Sequence, residues 1–228
     1  MPAARSRYNV LVIAGNLSRL RERIAIAANR AGRLPQDITL VAISKKKPAA
    51  DIVAAYQAGQ RDFGENYIQE FQAKFAELPS LPGAVFHFTG KLQSNKTAAA
   101  AAIFDVIQTV DSEKIARRLN DAGRKLDIFL EVKVSGEESK SGIVEQEIEG
   151  LKRFVESREN LRLRGLMCMP PWSEDPECSR PYFRRLRQLA GRHGLPELSM
   201  GMSNDFEAAI EEGATLIRVG TAIFGKRV

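Results

Sequence analysis

The sequence predicts a single (β/α)8 TIM barrel of the α/β class. Eight short strand-like segments alternate with helix-like ones along 228 residues, with short connections between them. Eight parallel strands in a chain of this length fit a closed barrel better than an open doubly wound sheet. No glycine-rich dinucleotide fingerprint follows the first strand, which weighs against the open alternative.

The elements follow in order. A helix over about 8–31 comes first, with Leu17, Leu20, Ile24 and Ala28 at helical spacing, and it supplies an eighth outer position around the barrel. The first strand, 39–44, is the apolar run Thr39-Leu40-Val41-Ala42-Ile43-Ser44, which stops at Lys45. The remaining strands are expected over 62–66, 85–90, 106–110, 128–134, 163–169, 197–203 and 215–220. Helices over 49–58, 67–78, 94–102, 112–122, 144–156, 178–193 and 204–212 alternate with them. The barrel then occupies about 38–225 within one domain, 1–228, since no Ser/Gly/Pro-rich linker or low-complexity tract divides the chain.

With 44% hydrophobic and 27% charged residues, the composition is that of a soluble globular protein. No run approaches the 18 or so uncharged apolar residues of a membrane span. The first eight residues lack the apolar core of a secretory signal. Cys168 and Cys178 do not form a disulfide framework, and a reducing cytoplasm is the expected compartment. The net charge of +6 raises the question of a nucleic-acid partner. Its arginines fall in helical patterns such as Arg19 to Arg23 and Arg184 to Arg187, where solvated faces explain them, and aromatics are sparse. No nucleic-acid or membrane partner is expected. His87 and His193 are too isolated for a metal site, and His87 reads as a hydrogen-bonded barrel residue.

Barrel chemistry gathers at the carboxyl ends of the strands. Lys45 stands at the first of these ends, where an amine can hold a carbonyl compound as an imine. Lys46 and Lys47 precede Pro48 and begin the turn, and their ammonium groups are expected to depress the pKa of Lys45. Ser203, Gly220 and Thr221 follow the seventh and eighth strands, where barrels often bind phosphate through backbone N–H groups and hydroxyls. Arg218 lies inside the last strand, so its guanidinium needs an acceptor in the barrel or a place on its rim. An amine, a phosphate cradle and a strand arginine together ask for a ligand with an aldehyde, a phosphate and a hydrogen-bond acceptor. Pyridoxal 5'-phosphate (PLP) has all three. The loop 170–176 around Trp172 is expected over one edge of the mouth, and Glu65 either supports Lys45 or caps the next helix.

Successive segments of the chain resemble the signatures of one family. They are Leu40-Val41-Ala42-Ile43-Ser44-Lys45, Phe63-Gly64-Glu65-Asn66-Tyr67, His87-Phe88-Thr89-Gly90-Lys91-Leu92-Gln93-Ser94-Asn95-Lys96, the loop 135–143, Gly165-Leu166-Met167, Gly201-Met202-Ser203 and the run from Arg218 to Gly225. In this order they look like the YggS-type pyridoxal phosphate homeostasis proteins, and the match runs from the first strand to the end. The resemblance implies a barrel like the N-terminal domain of alanine racemase. It also implies PLP held as an internal aldimine, with Lys45 as the Schiff-base lysine and Ser203, Gly220 and Thr221 around the phosphate. Asn66 would lie beside the ring, and Arg218 would face the pyridine nitrogen. Lys46 stands where threonine is common in the family, and Asn204 where aspartate is.

The function this implies is non-catalytic PLP homeostasis: uptake by exchange at Lys45 and release to PLP-dependent apoenzymes. Lys140, in the loop after the fifth strand, is a possible transfer lysine. A PLP-dependent amino-acid racemase or decarboxylase is the alternative. Racemases of this fold use a further tyrosine and dimerise through a separate domain, which this sequence is not expected to supply; a monomer is expected.

Overall fold

The computed structural model describes residues 2–135 and 141–225, with side chains described from Val10 onward. Eight strands form a closed parallel barrel in chain order. They are β1 (Thr39–Ile43), β2 (Asp62–Glu65), β3 (Val85–Phe88), β4 (Val106–Val110), β5 (Leu126–Glu131), β6 (Leu161–Met167), β7 (Glu197–Ser199) and β8 (Leu216–Val219). Pairing of Thr39, Leu40, Val41 and Ala42 with the four residues of β8 closes the ring. The helices are α1 (Pro2–Arg30), α2 (Ala49–Gln57), α3 (Ile68–Glu77), α4 (Thr97–Ile103), α5 (Glu113–Asn120), α6 (Ile148–Glu156), α7 (Arg180–Arg192), α8 (Phe206–Glu211) and α9 (Thr221–Phe224).

α1 takes the outer position foreseen for it, against α2, α8 and α9. Its buried stripe is Ile13, Leu17, Leu20, Ile24, Ala27 and Ala28, the spacing that places residues on one helical face. Arg23 pairs with Glu207 of α8 at 3.1 Å, and the Asn16 amide donates to the Ile223 carbonyl at 2.8 Å. The helix starts at Pro2 rather than near Tyr8, because proline is well placed in a first turn and Ala3, Ala4 and Arg5 are good helix formers.

Two apolar clusters show which way each strand residue faces. The larger lies between barrel and helices and takes Leu40, Ala42, Phe63, Phe86, Phe88, Ile128, Leu130, Leu166, Leu198, Ile217 and Val219. The smaller joins Val41, Val106, Phe129, Met167 and Leu216, with Ile43 and Val85 against it. These residues come from strands that are not all neighbours, so their meeting place is the lumen. Side chains alternate along a strand, so the lumen register continues through Val41, Ile43 and Lys45, through Asp62, Gly64 and Asn66, and through Leu216, Arg218 and Gly220.

β7 ends at Ser199 and not at the expected 203, because Gly201 turns the chain with φ +91, a conformation that L side chains rarely adopt. The arginines of α7 are satisfied within the molecule. Arg180, Arg184 and Arg187 surround the Glu212 carboxylate, while Arg185 and Arg192 pair with Glu145.

Candidate functional site

The carboxyl-end mouth of the barrel contains a cleft of about 370 Å³. That lies within the usual range of small-molecule sites, about 300–1,000 Å³. Its walls bring together Lys45, Asn66, Ser203, Arg218, Gly220 and Thr221, six residues from the ends of β1, β2, β7 and β8. Sequence reasoning singled out all six. Ile43, Thr89, Met202 and Asp205 also line it, together with Met169, Pro171 and Trp172 of the loop after β6. Lys140 lies outside the described residues.

Lys45 reaches the cleft because the turn after β1 is fastened from behind. The Lys47 backbone N–H donates to the Ser44 carbonyl at 3.0 Å, and the Lys47 ammonium donates to the Phe224 carbonyl at 2.8 Å. Lys46 takes a positive φ of 59, the single non-glycine case among the described residues, and its N–H donates to Glu70 Oε1 at 2.5 Å.

Glu65 does not cap the next helix; it bears on Lys45 from outside the cleft, through its neighbour Ser44. Asp62, Gly64 and Asn66 face the lumen, so Glu65 points outward, where its Oε1 accepts from Lys74 Nζ at 2.5 Å and from Ser44 Oγ at 2.8 Å. Lys74 also donates to the Ser44 carbonyl at 3.0 Å and pairs with Glu70 at 2.8 Å. Burial raises the Glu65 pKa, opposed by the Lys74 charge and the hydrogen bonds from Lys74 and Ser44. This buried cluster supports the turn that carries the lysine.

On the adjoining wall, beside the end of β1, the Gly220 N–H donates to Ser203 Oγ at 3.3 Å, so the hydroxyl from the β7 loop and the backbone after β8 converge. A Cβ at Gly220 would lie 3.1 Å from the Ile43 carbonyl and 3.3 Å from Ile43 Cβ. A side chain there would push the two strand ends apart by a few tenths of an ångström, so glycine keeps them close beside the cleft. Asn66 Oδ1 accepts from Thr89 Oγ1 at 3.1 Å, which orients the amide. Asn204 Nδ2 donates to the carbonyls of Ser173 at 3.0 Å and Glu174 at 3.3 Å. It thereby ties down the Trp172 loop with donors that an aspartate would lack.

At the cleft floor Arg218 is 4% exposed. Its guanidinium donates to Ser199 Oγ at 2.6 Å and to the Cys168 carbonyl at 2.8 Å. Burial lowers its pKa, while Cys168, Asp205 and Glu131 act the other way. The Cys168 thiol is buried and pushed up to about 12, chiefly by desolvation, so it is no nucleophile at neutral pH. No group of three or more potential metal ligands occurs among the described residues.

Glu131, in the lumen at the end of β5, is 3% exposed. Burial raises its carboxyl to about 7; Asp111 adds to the rise, and Arg218 and Lys91 oppose it. A raised carboxyl stabilises the fold below its ordinary value of 4.5, and the contribution is lost as pH climbs through about 7. Glu131→Gln is therefore expected to gain up to about 3 kcal/mol over the parent at pH 8 and nothing below pH 4.5. Thermal melts of the ligand-free protein at the two pH values check this; an equal shift at both would contradict it.

The barrel, a lysine at the end of its first strand and a hydroxyl-and-glycine wall after its last two define the alanine racemase type of barrel. Residues 15–228 match the alanine racemase N-terminal domain family. The pyridoxal phosphate homeostasis protein of Pseudomonas aeruginosa is 48% identical over 221 residues, covering 94% of this chain and 96% of that protein. The chain belongs to the pyridoxal phosphate homeostasis protein family. PipY of Synechococcus elongatus, solved with PLP bound, superposes with a TM-score of 0.81 at 38% identity, covering 93% of this chain and 100% of that one. Alanine racemase from Corynebacterium glutamicum shares the fold, with a TM-score of 0.67 at 18% identity over 94% of this chain and 60% of its own. Among the described residues no helix is long and apolar enough to cross a membrane.

Proposed function

We propose that this protein binds PLP and serves its homeostasis in the cytoplasm, holding the cofactor covalently at Lys45 and exchanging it with recipient apoenzymes. The observation that carries the reading is the convergence of Lys45, Arg218 and the Ser203–Gly220 contact on one cleft. The naming of the Pseudomonas relative and the PLP bound to PipY point the same way.

The residues present fit the cofactor. The close approach at Gly220 leaves a cradle of backbone N–H and hydroxyl for a phosphate, and Thr221 adds a second hydroxyl. When bound, PLP supplies an aldehyde carbon that an amine can attack with loss of water and that a second amine can take over. Lys45 provides the first amine. Asn66 would stand beside the ring and Arg218 at its nitrogen. A guanidinium only donates, so Arg218 favours an unprotonated pyridine nitrogen, a weaker electron sink than one paired with a carboxylate.

The weaker sink disfavours decarboxylation, and the lining of the cleft supports a carrier over a racemase. Asp205 is the one carboxylate lining the cleft among the described residues, and its Oδ1 is occupied by the Met202 N–H at 2.6 Å. No histidine or tyrosine lines it among those residues. Lys140 is our candidate for temporary transfer. The chain leaves the barrel after β5 and returns where Ile143 N–H donates to the Glu131 carbonyl at 2.8 Å, next to the mouth. Both cysteines are free thiols, in keeping with a reducing compartment. A monomer is proposed.

Trp172, the one tryptophan of the chain, is 75% exposed and lines the cleft, so PLP entry is expected to quench its fluorescence. Loaded protein is expected to restore activity to a PLP-free enzyme and to leave single-enantiomer amino acids optically pure. Unquenched Trp172 would contradict binding, and steady loss of optical purity would favour the racemase.

A further inference from the structure

A line of hydrogen bonds crosses the barrel lumen beneath the cleft. Arg218 Nη1 donates to Ser199 Oγ at 2.6 Å, and Ser199 Oγ donates to Gln108 Oε1 at 2.6 Å. Gln108 Nε2 meets His87 Nδ1 at 2.9 Å, and His87 Nε2 meets Asp62 Oδ1 at 3.0 Å. The line joins β8, β7, β4, β3 and β2. Gln108 and Ser199 are 0% exposed and His87 is 3% exposed.

The donor directions follow from the two ends. A guanidinium only donates, and the Asp62 carboxylate only accepts, so His87 carries its proton on Nε2 and accepts at Nδ1. Gln108 must then turn its NH₂ to His87 and its oxygen to Ser199. That leaves a Ser199 lone pair for Arg218. Every dipole points from the cation at the cleft to the anion at the far end of the barrel, and aligned bonds of this kind polarise one another. A barrel interior is ordinarily filled with branched apolar residues. Burying a glutamine, a serine and a histidine here keeps one polar contact, Arg218 against the cleft, in a single orientation.

We propose that Gln108 is a positioning residue for Arg218, fixing the plane in which the guanidinium meets a ligand at the cleft floor. The inference rests on the reading of the cleft as a PLP site. Gln108 touches no ligand; it acts through Ser199.

The test titrates PLP into full-length parent, Gln108→Leu, Ser199→Ala and Gln108→Glu proteins. It follows Trp172 quenching, the visible absorption of bound PLP, and melting of the PLP-free form. Gln108→Leu and Ser199→Ala are each expected to weaken PLP binding about tenfold, the loss of one net hydrogen bond of orientation. Both should also displace the visible band, because the ring nitrogen loses its fixed partner. Gln108→Glu keeps an oxygen for Ser199 and should recover most of the affinity that Gln108→Leu loses. A role in stability alone would lower the melting temperature and leave the band in place; that result overturns the proposal. Should Gln108→Leu fail to fold, an unmoved band and affinity in Ser199→Ala would overturn it. Failure of the parent protein itself to take up PLP would overturn the binding reading and this inference together, whereas parent binding with unmoved variants would sink the inference alone.

Discussion

Replacing Lys74 by methionine is expected to cost about 3–5 kcal/mol of stability at pH 8. The ammonium lies against the Glu65 carboxylate, the Glu70 carboxylate and the Ser44 carbonyl, with Glu65 fully buried. Methionine would fill the space and leave a buried carboxylate with the Ser44 hydroxyl as its remaining partner. Burial already raises the Glu65 pKa and the Lys74 charge opposes the rise, so without Lys74 the pKa climbs further. A carboxyl raised in this way loses its folding contribution as pH increases through the folded value. The deficit should therefore be largest in alkali and shrink as acid protonates Glu65. Denaturant unfolding at pH 8 and pH 5 measures it. The double variant Lys74→Met, Glu65→Leu should recover most of the loss, since a well-packed apolar pair often replaces a buried ion pair without harm. A deficit independent of pH, or undiminished in the double variant, would mean that lost packing and not charge is responsible.

The second large effect concerns retention of the ligand. Lys45→Ala should still admit PLP to the cleft, because Ser203, Gly220, Thr221 and Arg218 remain in place. It should lose the ligand within one passage through a desalting column that leaves the parent protein loaded, and its colour with it. Since Lys47 and Lys74 hold the turn from outside the cleft, the variant should melt close to the PLP-free parent. A large drop in melting temperature would instead mark Lys45 as a structural residue.

Lys45 was legible because an apolar run of strand length ends on it, and the alternation through Val41 and Ile43 places it in the lumen. Ser203, Gly220 and Thr221 were legible from chain order, since the last two strand ends must stand beside the first in a closed barrel. Glu65 was not. Both faces of a parallel strand are buried, so Phe63 on the outside and Gly64 on the inside give no hydropathy contrast from which to tell inward from outward. The four-residue α9 and the early end of β7 were missed because each depends on one local turn, at Gly220 and Gly201. Of the line through Gln108 only His87 was legible, as a hydrogen-bonded barrel residue; Gln108 itself drew no notice within the strand from Val106 to Val110. Its partner Ser199 lies 91 residues away, and local pattern carries no information about contacts across a barrel.

Borohydride reduction of the PLP-loaded protein, followed by digestion and mass mapping, tests the central claim most directly. A single stoichiometric pyridoxyl addition is predicted on the peptide carrying Lys45, with none there in Lys45→Ala. Addition at Lys46, Lys47, Lys91 or Lys140 with Lys45 unmodified, or equal labelling of the Lys45→Ala protein, would contradict it.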